Sequence, residues 1–478
     1  MVAMRLGRDV AVYGLASLLT QAAVVVATPV FARYLGPAGY GELDLLMLGV
    51  NLLVLVALAG TETAALQQFY VAKDGRLRQD TFSTAALWTL AAGLILGGLA
   101  LSAAGPLSQS VFGLGALSAV RTAALVIPVV AVARLTVEAL RARRKPWLYL
   151  LSVGILSGLQ MVLGVALVVG FDGGVTAVMV AWLIAAIAST IFNVSASRQL
   201  FVVRFSRSSL RPLLKVGVPL LFAGLAGWSV MFVDRLILVR YVTLSQIGVY
   251  ALAAKVSLVL TLVIYAFNRG WTPIALEAVA RDAESAREMR ARTSVVYLAA
   301  VAWVAVAASL LAPLAVDLVG GQDYSEAADL IPVLATAFLL FAPMPLIQVS
   351  MLVTERTALL ALPAVIAAGV NAFGVIVLAG GYGLTGAAWA TVAGFLLQLV
   401  VTFAFANRID PIPYPWGKLF RLGAISIGFL ALSWMPTGRV WDATRCLLTL
   451  TFPAFLVLAG VVARRDLRRV LSRRTIGI

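Results

Sequence analysis

Charged side chains inside long apolar runs are where this sequence could do chemistry. Asp234 and Arg235 stand together in one such run and Lys255 in the next. Arg134 and Glu138 share another, and Asp44 and Glu62 lie near the two ends of a fourth. Each such charge costs about 2.5–3.5 kcal/mol on insertion scales, so each needs a reason. Asp234 and Lys255 fall at similar depth on neighbouring antiparallel segments and could pair. Adjacent helical residues point about 100° apart, so Arg235 would then face elsewhere. Arginine presents a planar fork of donors suited to phosphate oxygens. Arg33, Arg240 and Arg269 belong to the same basic set, the first two at span ends where a long side chain can snorkel. Asp44 could be a cation-coupling carboxylate, because protonation removes a costly charge. It could equally be a hydrated interfacial residue. Arg134 and Glu138, four apart, read as an i,i+4 salt bridge. Gln21 and Asn51, with Gln160, Gln348, Asn371 and Gln398, are embedded amides that could bond hydroxyl groups or join helices.

Catalytic chemistry finds no footing. The chain has no histidine and one cysteine, Cys446. That removes imidazole bases and metal ligands and leaves no internal disulfide. No GxxxxGK[ST] loop is present to cradle a nucleotide. The expectation is a protein that is not an enzyme and holds no cofactor or metal.

The elements that must position these residues are membrane helices. The 478 residues are 62% hydrophobic and only 12% charged, with mean hydropathy +1.00. Soluble domains carry about 45–50% apolar and about 25% charged residues, which excludes a soluble enzyme, a disordered chain and a disulfide scaffold. The apolar runs are continuous, whereas barrel strands alternate. Fourteen spans are expected near 10–32, 41–62, 81–105, 119–140, 147–170, 175–197, 216–239, 246–269, 293–313, 328–350, 358–380, 384–406, 419–435 and 444–463. Of the 37 basic residues, 29 then fall on one side, five on the other and three within spans. This asymmetry places both termini in the cytoplasm, and it accounts for the net charge of +16 without nucleic acid.

An internal repeat gives the architecture. Arg33–Gly41 reads RYLGPAGYG and Arg240–Gly248 reads RYVTLSQIG, an offset of 207. Pro106 and Pro313, and Gly113 and Gly320, keep that offset. An ordered series of this kind indicates duplication. Each unit holds six spans, so the two run parallel and face each other across a central cleft. The expected division is 1–200, 201–408 and an appendix of two helices with a basic tail, 409–478. Glu62 and Arg269 also stand 207 apart near span ends and could bridge to close the cleft.

The RYLGPAGYG segment and the stretch Val233 to Lys255 (VDRLILVRYVTLSQIGVYALAAK) carry a resemblance, as do KVGVPL at Lys215 to Leu220 and YGLTGAAWAT at Tyr382 to Thr391. Together they resemble the O-antigen and capsule flippases of the multidrug, oligosaccharidyl-lipid and polysaccharide exporter superfamily. The resemblance runs over essentially the whole chain. It implies translocation of an undecaprenyl-diphosphate-linked oligosaccharide from the inner to the outer leaflet of the cytoplasmic membrane. It also implies alternating access, with a proton or sodium gradient as the candidate driving force. The diphosphate would be the anion that the arginines meet. Membrane lipids and the glycosyltransferases or polymerase of the same pathway are the expected partners. A multidrug exporter and a peptidoglycan-precursor flippase of the same superfamily are the rivals.

Two further expectations concern shape. Prolines stand inside many spans, with Pro343-Met344-Pro345 the strongest bend. Leu200 to Lys215 and the tail from Arg464 to Arg474 read as basic amphipathic helices on the lipid surface.

Overall fold

A computed structural model of the chain describes residues 2–72, 74–354, 358–436 and 438–462. The basic tail from Arg464 to Arg474, and Lys73 and Arg356 of the orientation count, lie outside the described residues. In chain order the helices are α1 (Val2–Leu58), α2 (Thr61–Val71), α3 (Gly75–Ser102), α4 (Leu117–Ala142), α5 (Pro146–Phe171) and α6 (Gly174–Ala196). There follow α7 (Arg207–Leu238), α8 (Leu244–Arg281), α9 (Ala283–Leu310), α10 (Ala312–Val319), α11 (Ala327–Val353), α12 (Ala358–Ile409), α13 (Trp416–Ala431) and α14 (Arg439–Leu458). The fold is all-helical.

Eleven helices among the described residues are long and apolar enough to cross a membrane, against fourteen spans read from the sequence. The difference has a physical origin. Both α1 and α12 comprise two helices, broken at Gly36 (φ 65°) and Gly383 (φ 55°). Glycine adopts a positive φ without a Cβ clash, so each kink takes a single residue. The thirteenth span is the short helix α13, of 16 residues.

The chain divides into two compact units. The first holds Met1–Trp228 with Thr243–Gly248, and the second holds Ser229–Val242 with Val249–Ile478. Within the first, α4 packs against α3 and α6, burying Ala123, Ala124, Ile127, Val130, Ala131 and Leu135. Gly93 and Gly97 of α3 make the close approach possible: a Cβ on Gly93 would lie 2.8 Å from Pro128 Cα. Small residues at crossings suit membrane helices, where packing rather than water expulsion drives association. The repeated glycines also meet here. A Cβ on Gly41 would lie 2.8 Å from Gly248 N, and one on Gly248 would lie 1.9 Å from Pro37 O. The two copies of the motif thus share one tight backbone crossing.

In the second unit α12 packs on α11, and α9 packs against α8 and α11. Helices α13 and α14 lie outside the repeat and dock on α9. Val295, Ala302, Val306 and Leu310 form a core with Leu422, Phe429, Phe452 and Leu456. Trp303 Nε1 donates to Thr449 O at 2.9 Å, closing the seam.

The expected bend at Pro343-Met344-Pro345 is present. The helix breaks after Phe341 and resumes at Met344. Pro128, Pro332 and Pro453 instead stay inside continuous helices. The segment Leu200 to Lys215 is not one interfacial helix. Residues 201–206 are irregular, and the helix begins only at Arg207. Ser83 and Thr84 explain this, because their hydroxyls bond Leu200 O, Val202 N and Ser206 N and hold the backbone extended.

Candidate functional site

The charged residues gather in separate clusters, each within one unit. In the first unit the left-handed residues Ala59 (φ 48°) and Gly60 (φ 70°) end α1 and start α2, which sets Glu62 in its first turn. Gly60 is required there, since a Cβ would sit 2.3 Å from Gly217 O. Glu62 lies within electrostatic reach of Arg134 on α4. Its Oε2 is buried and has no hydrogen-bond partner among the described residues.

Arg134 donates through Nη2 to Asn51 Oδ1. Asn51 is anchored in turn, its Nδ2 donating to Met47 O at 2.7 Å. The expected Arg134–Glu138 bridge does not form. Glu138 takes Arg141 instead, at 2.9 Å. Arg134 prefers the amide across the helix pair, which fixes its planar fork and leaves the charge facing Glu62. The result is a half-buried cation, carboxylate and amide on three helices. Arg134 leaves donors over beyond Asn51, the property an anion-handling site needs.

In the second unit Asp234 and Arg235 are both 3% exposed on α7. Asp234 Oδ1 accepts from Arg235 N at 2.8 Å. Its Oδ2 accepts from Tyr250 Oη at 2.7 Å and from Thr391 Oγ1 at 3.4 Å. Asn371 Nδ2 donates to Val230 O at 3.2 Å, one turn before the carboxylate. Asp234 therefore joins α7, α8 and α12 through hydroxyl groups. The Arg235 guanidinium lies 5.7 Å from the Phe232 ring centre and 5.9 Å from that of Tyr250. Such faces stabilise a desolvated cation by about 0.5–2 kcal/mol. Lys255 is half-buried on the same helix as Tyr250.

The remaining candidates are spread out. Asp44 is buried at 5% in the first unit, while Gln21 and Arg33 are exposed there. Arg240 and Arg269 are exposed in the second unit.

Two arginines carry more of the second unit than their sequence neighbourhoods suggested. Arg290 at the start of α9 is fully buried. Its Nη1 donates to Asp410 Oδ2 at 2.5 Å and its Nη2 to Ser350 Oγ at 2.5 Å. Arg287 donates to the other Asp410 oxygen at 2.6 Å. Burial raises the Asp410 pKa, but the hydrogen bonds and charges of Arg287 and Arg290 outweigh it and hold the carboxyl below its ordinary range. The spacing of Arg287 and Arg290 puts both on one helix face, a signal that charge counting for orientation obscures. The second arginine, Arg445 on α14, is 1% exposed and has no carboxylate within salt-bridge distance among the described residues. Its Nη2 donates to Ser433 O at 3.1 Å and Met435 O at 2.6 Å.

No three or more His, Cys, Asp or Glu among the described residues are grouped to hold a metal ion. The arrangement is of buried and half-buried cations, carboxylates and amides that join helices in an apolar body.

Comparison with known proteins bears on the fold and the family. No curated protein sequence matches the chain. The lipid II flippase MurJ in its inward closed conformation superposes with a TM-score of 0.75 at 15% identity, covering 96% of this chain and 99% of that one. An inward-facing multidrug resistance MATE family transporter of the MOP superfamily gives 0.65 at 17% identity, covering 84% and 95%. A MOP-superfamily transporter from Pyrococcus furiosus gives 0.55 at 17%, covering 87% and 93%. The chain thus has the fold of these multi-pass membrane transporters. The family model described as polysaccharide biosynthesis protein matches residues 30–329, more than half of the chain, and the protein belongs to that family.

Proposed function

We propose that the protein is a flippase that moves an undecaprenyl-diphosphate-linked oligosaccharide from the cytoplasmic to the outer leaflet by alternating access. The observation that carries this reading is the pairing of a polysaccharide-biosynthesis family match with the fold of a lipid II flippase. The half-buried Arg134 and the buried Arg235, each set within a largely apolar helix, support it. Carrying a diphosphate through an apolar interior without such partners would be prohibitive. The polyprenyl tail needs no polar path and stays in the bilayer.

The chain moves its substrate without chemical change and is not an enzyme. It resides in the cytoplasmic membrane with both termini inside, as its basic residues direct. A proton or sodium gradient drives it. Asp44, Glu62 and Asp234 are the carboxylates whose charge would register that gradient. Glycosyltransferases that build the glycan and the polymerase that consumes it are its partners.

The test is to deplete the protein and locate the lipid-linked intermediate. Accumulation in the cytoplasmic leaflet is expected, with rescue by the wild type and not by Arg134→Gln or Arg235→Gln. The MATE-like superposition favours one other reading, a multidrug exporter. An unchanged leaflet distribution together with lost dye efflux would select that reading and end this one. Build-up of lipid II in place of the glycan intermediate would identify a peptidoglycan-precursor flippase.

A further inference from the structure

The second unit contains a pocket away from the clusters described above. It has a volume of about 380 Å³ and lies where α10, the start of α11 and the turn between α13 and α14 come together. Asp317, Glu326 and Asp329 supply three carboxylates to its wall, Gln322 an amide and Trp434 an indole. Arg445 completes the lining. Ligand pockets run from about 300 to about 1,000 Å³, so this one suits a small polar molecule.

Arg445 is the informative residue. A buried guanidinium normally takes a carboxylate or fills its donors. Here Nη2 bonds two backbone carbonyls, while Nε and Nη1 have no hydrogen-bond partner among the described residues. Unmet donors at a buried charge cost free energy, and the fold does not spend them on its own stability. Arg445 shares the lining of the pocket with acidic groups that only accept.

Few ligands satisfy both sets. A simple anion would answer Arg445 but meet three carboxylates. A simple cation would suit the carboxylates and leave Arg445 unmet. A hydroxyl both accepts and donates, so adjacent hydroxyls on a ring can accept from Arg445 and donate to a carboxylate. The indole of Trp434 is half exposed at the pocket and offers an apolar face for the ring.

We propose that this pocket binds a pyranose sugar through adjacent hydroxyls, with Arg445 and the surrounding carboxylates as its recognition groups. By the charge count the pocket opens on the outer face, so the glycan of the flipped substrate would be its natural occupant. That last step rests on the flippase reading.

The experiment uses the full chain in nanodiscs and saturation-transfer NMR with glucose, galactose, N-acetylglucosamine and glucuronate as probes. Saturable binding of at least one is expected. It should weaken about ten-fold or more in Asp329→Asn, which removes a charged acceptor, and in Arg445→Gln. Trp434→Ala, at an exposed position, should weaken it without touching the fold. Absence of binding by all four sugars overturns the proposal, as does binding that all three substitutions leave intact. Displacement of nothing but phosphoethanolamine would instead mark a zwitterionic lipid headgroup, and also overturns it. Flipping measured in parallel separates the two readings. Normal flipping with no sugar binding removes the pocket alone. Sugar binding lost in the variants, with no flipping by the wild type, removes the flippase alone.

Discussion

Arg290 and Arg445 are equally hidden from solvent, at 0% and 1% exposure, yet they are held in opposite ways. Arg290 meets Asp410 and Ser350 and draws three parts of the chain together: α9, α11 and the segment after α12. Its charge is neutralised where it lies. Arg445 meets only two backbone carbonyls and, among the described residues, leaves both Nε and Nη1 unfilled, where Arg290 leaves Nε alone. Taking an ion out of water costs several kcal/mol, which a carboxylate in good geometry can offset and carbonyls only partly do. The first arrangement is a lock. The second tolerates an imbalance that a bound ligand would relieve.

Substitutions at Arg290, Arg445 and Asp410 sharpen the contrast. Arg290→Ala has the largest expected effect. It removes the buried partner of Asp410 and leaves that carboxylate to Arg287 alone, and should destabilise the purified protein by about 3 kcal/mol, the lower end of the range for breaking a buried pair. Thermal unfolding in detergent would report this as a marked fall in Tm. Removing both partners with Arg290→Met and Asp410→Leu should recover much of the loss, and failure to recover would mean the pair is more than a lock.

Arg445→Met should cost less, about 1–2 kcal/mol, because it orphans two carbonyls and no carboxylate. Equal Tm losses for Arg290→Ala and Arg445→Met would erase the distinction drawn between them.

The smallest effect is one of pH. The folded Asp410 carboxyl titrates below its ordinary range. Its contribution is therefore complete above the unfolded pKa of about 3.9 and fades as pH falls through the lower folded value. The stability gap between wild type and Asp410→Asn should stay constant from neutral pH to about 5 and close only below about 4. A gap that closed near neutrality would contradict the pairing.

The site was legible in the sequence to different degrees. Asp234 and Arg235 stood out because a charge in an apolar run is rare, and both proved buried. Arg134 stood out for the same reason, but its partner was misassigned. The sequence offered Glu138 four residues away, whereas the fold supplies Asn51, 83 positions distant. Arg287, Arg290 and Asp410 carry ordinary charges at span ends. Nothing local marks Arg290 as fully buried, since its burial is created by helices distant in the chain. Residues 201–206 read as amphipathic by composition, yet Ser83 and Thr84 hold them extended.

The sequence by itself determined the all-helical membrane class, because an apolar solvent leaves the backbone no other way to satisfy its hydrogen bonds in continuous apolar runs. It also determined the duplication, since glycines at a crossing tolerate no Cβ. Gly41 and Gly248 keep their spacing for that reason. Only the tertiary structure decided which buried charges are matched. Matching depends on distances of a few ångströms between residues far apart in the chain, and periodicity along a helix holds no record of them.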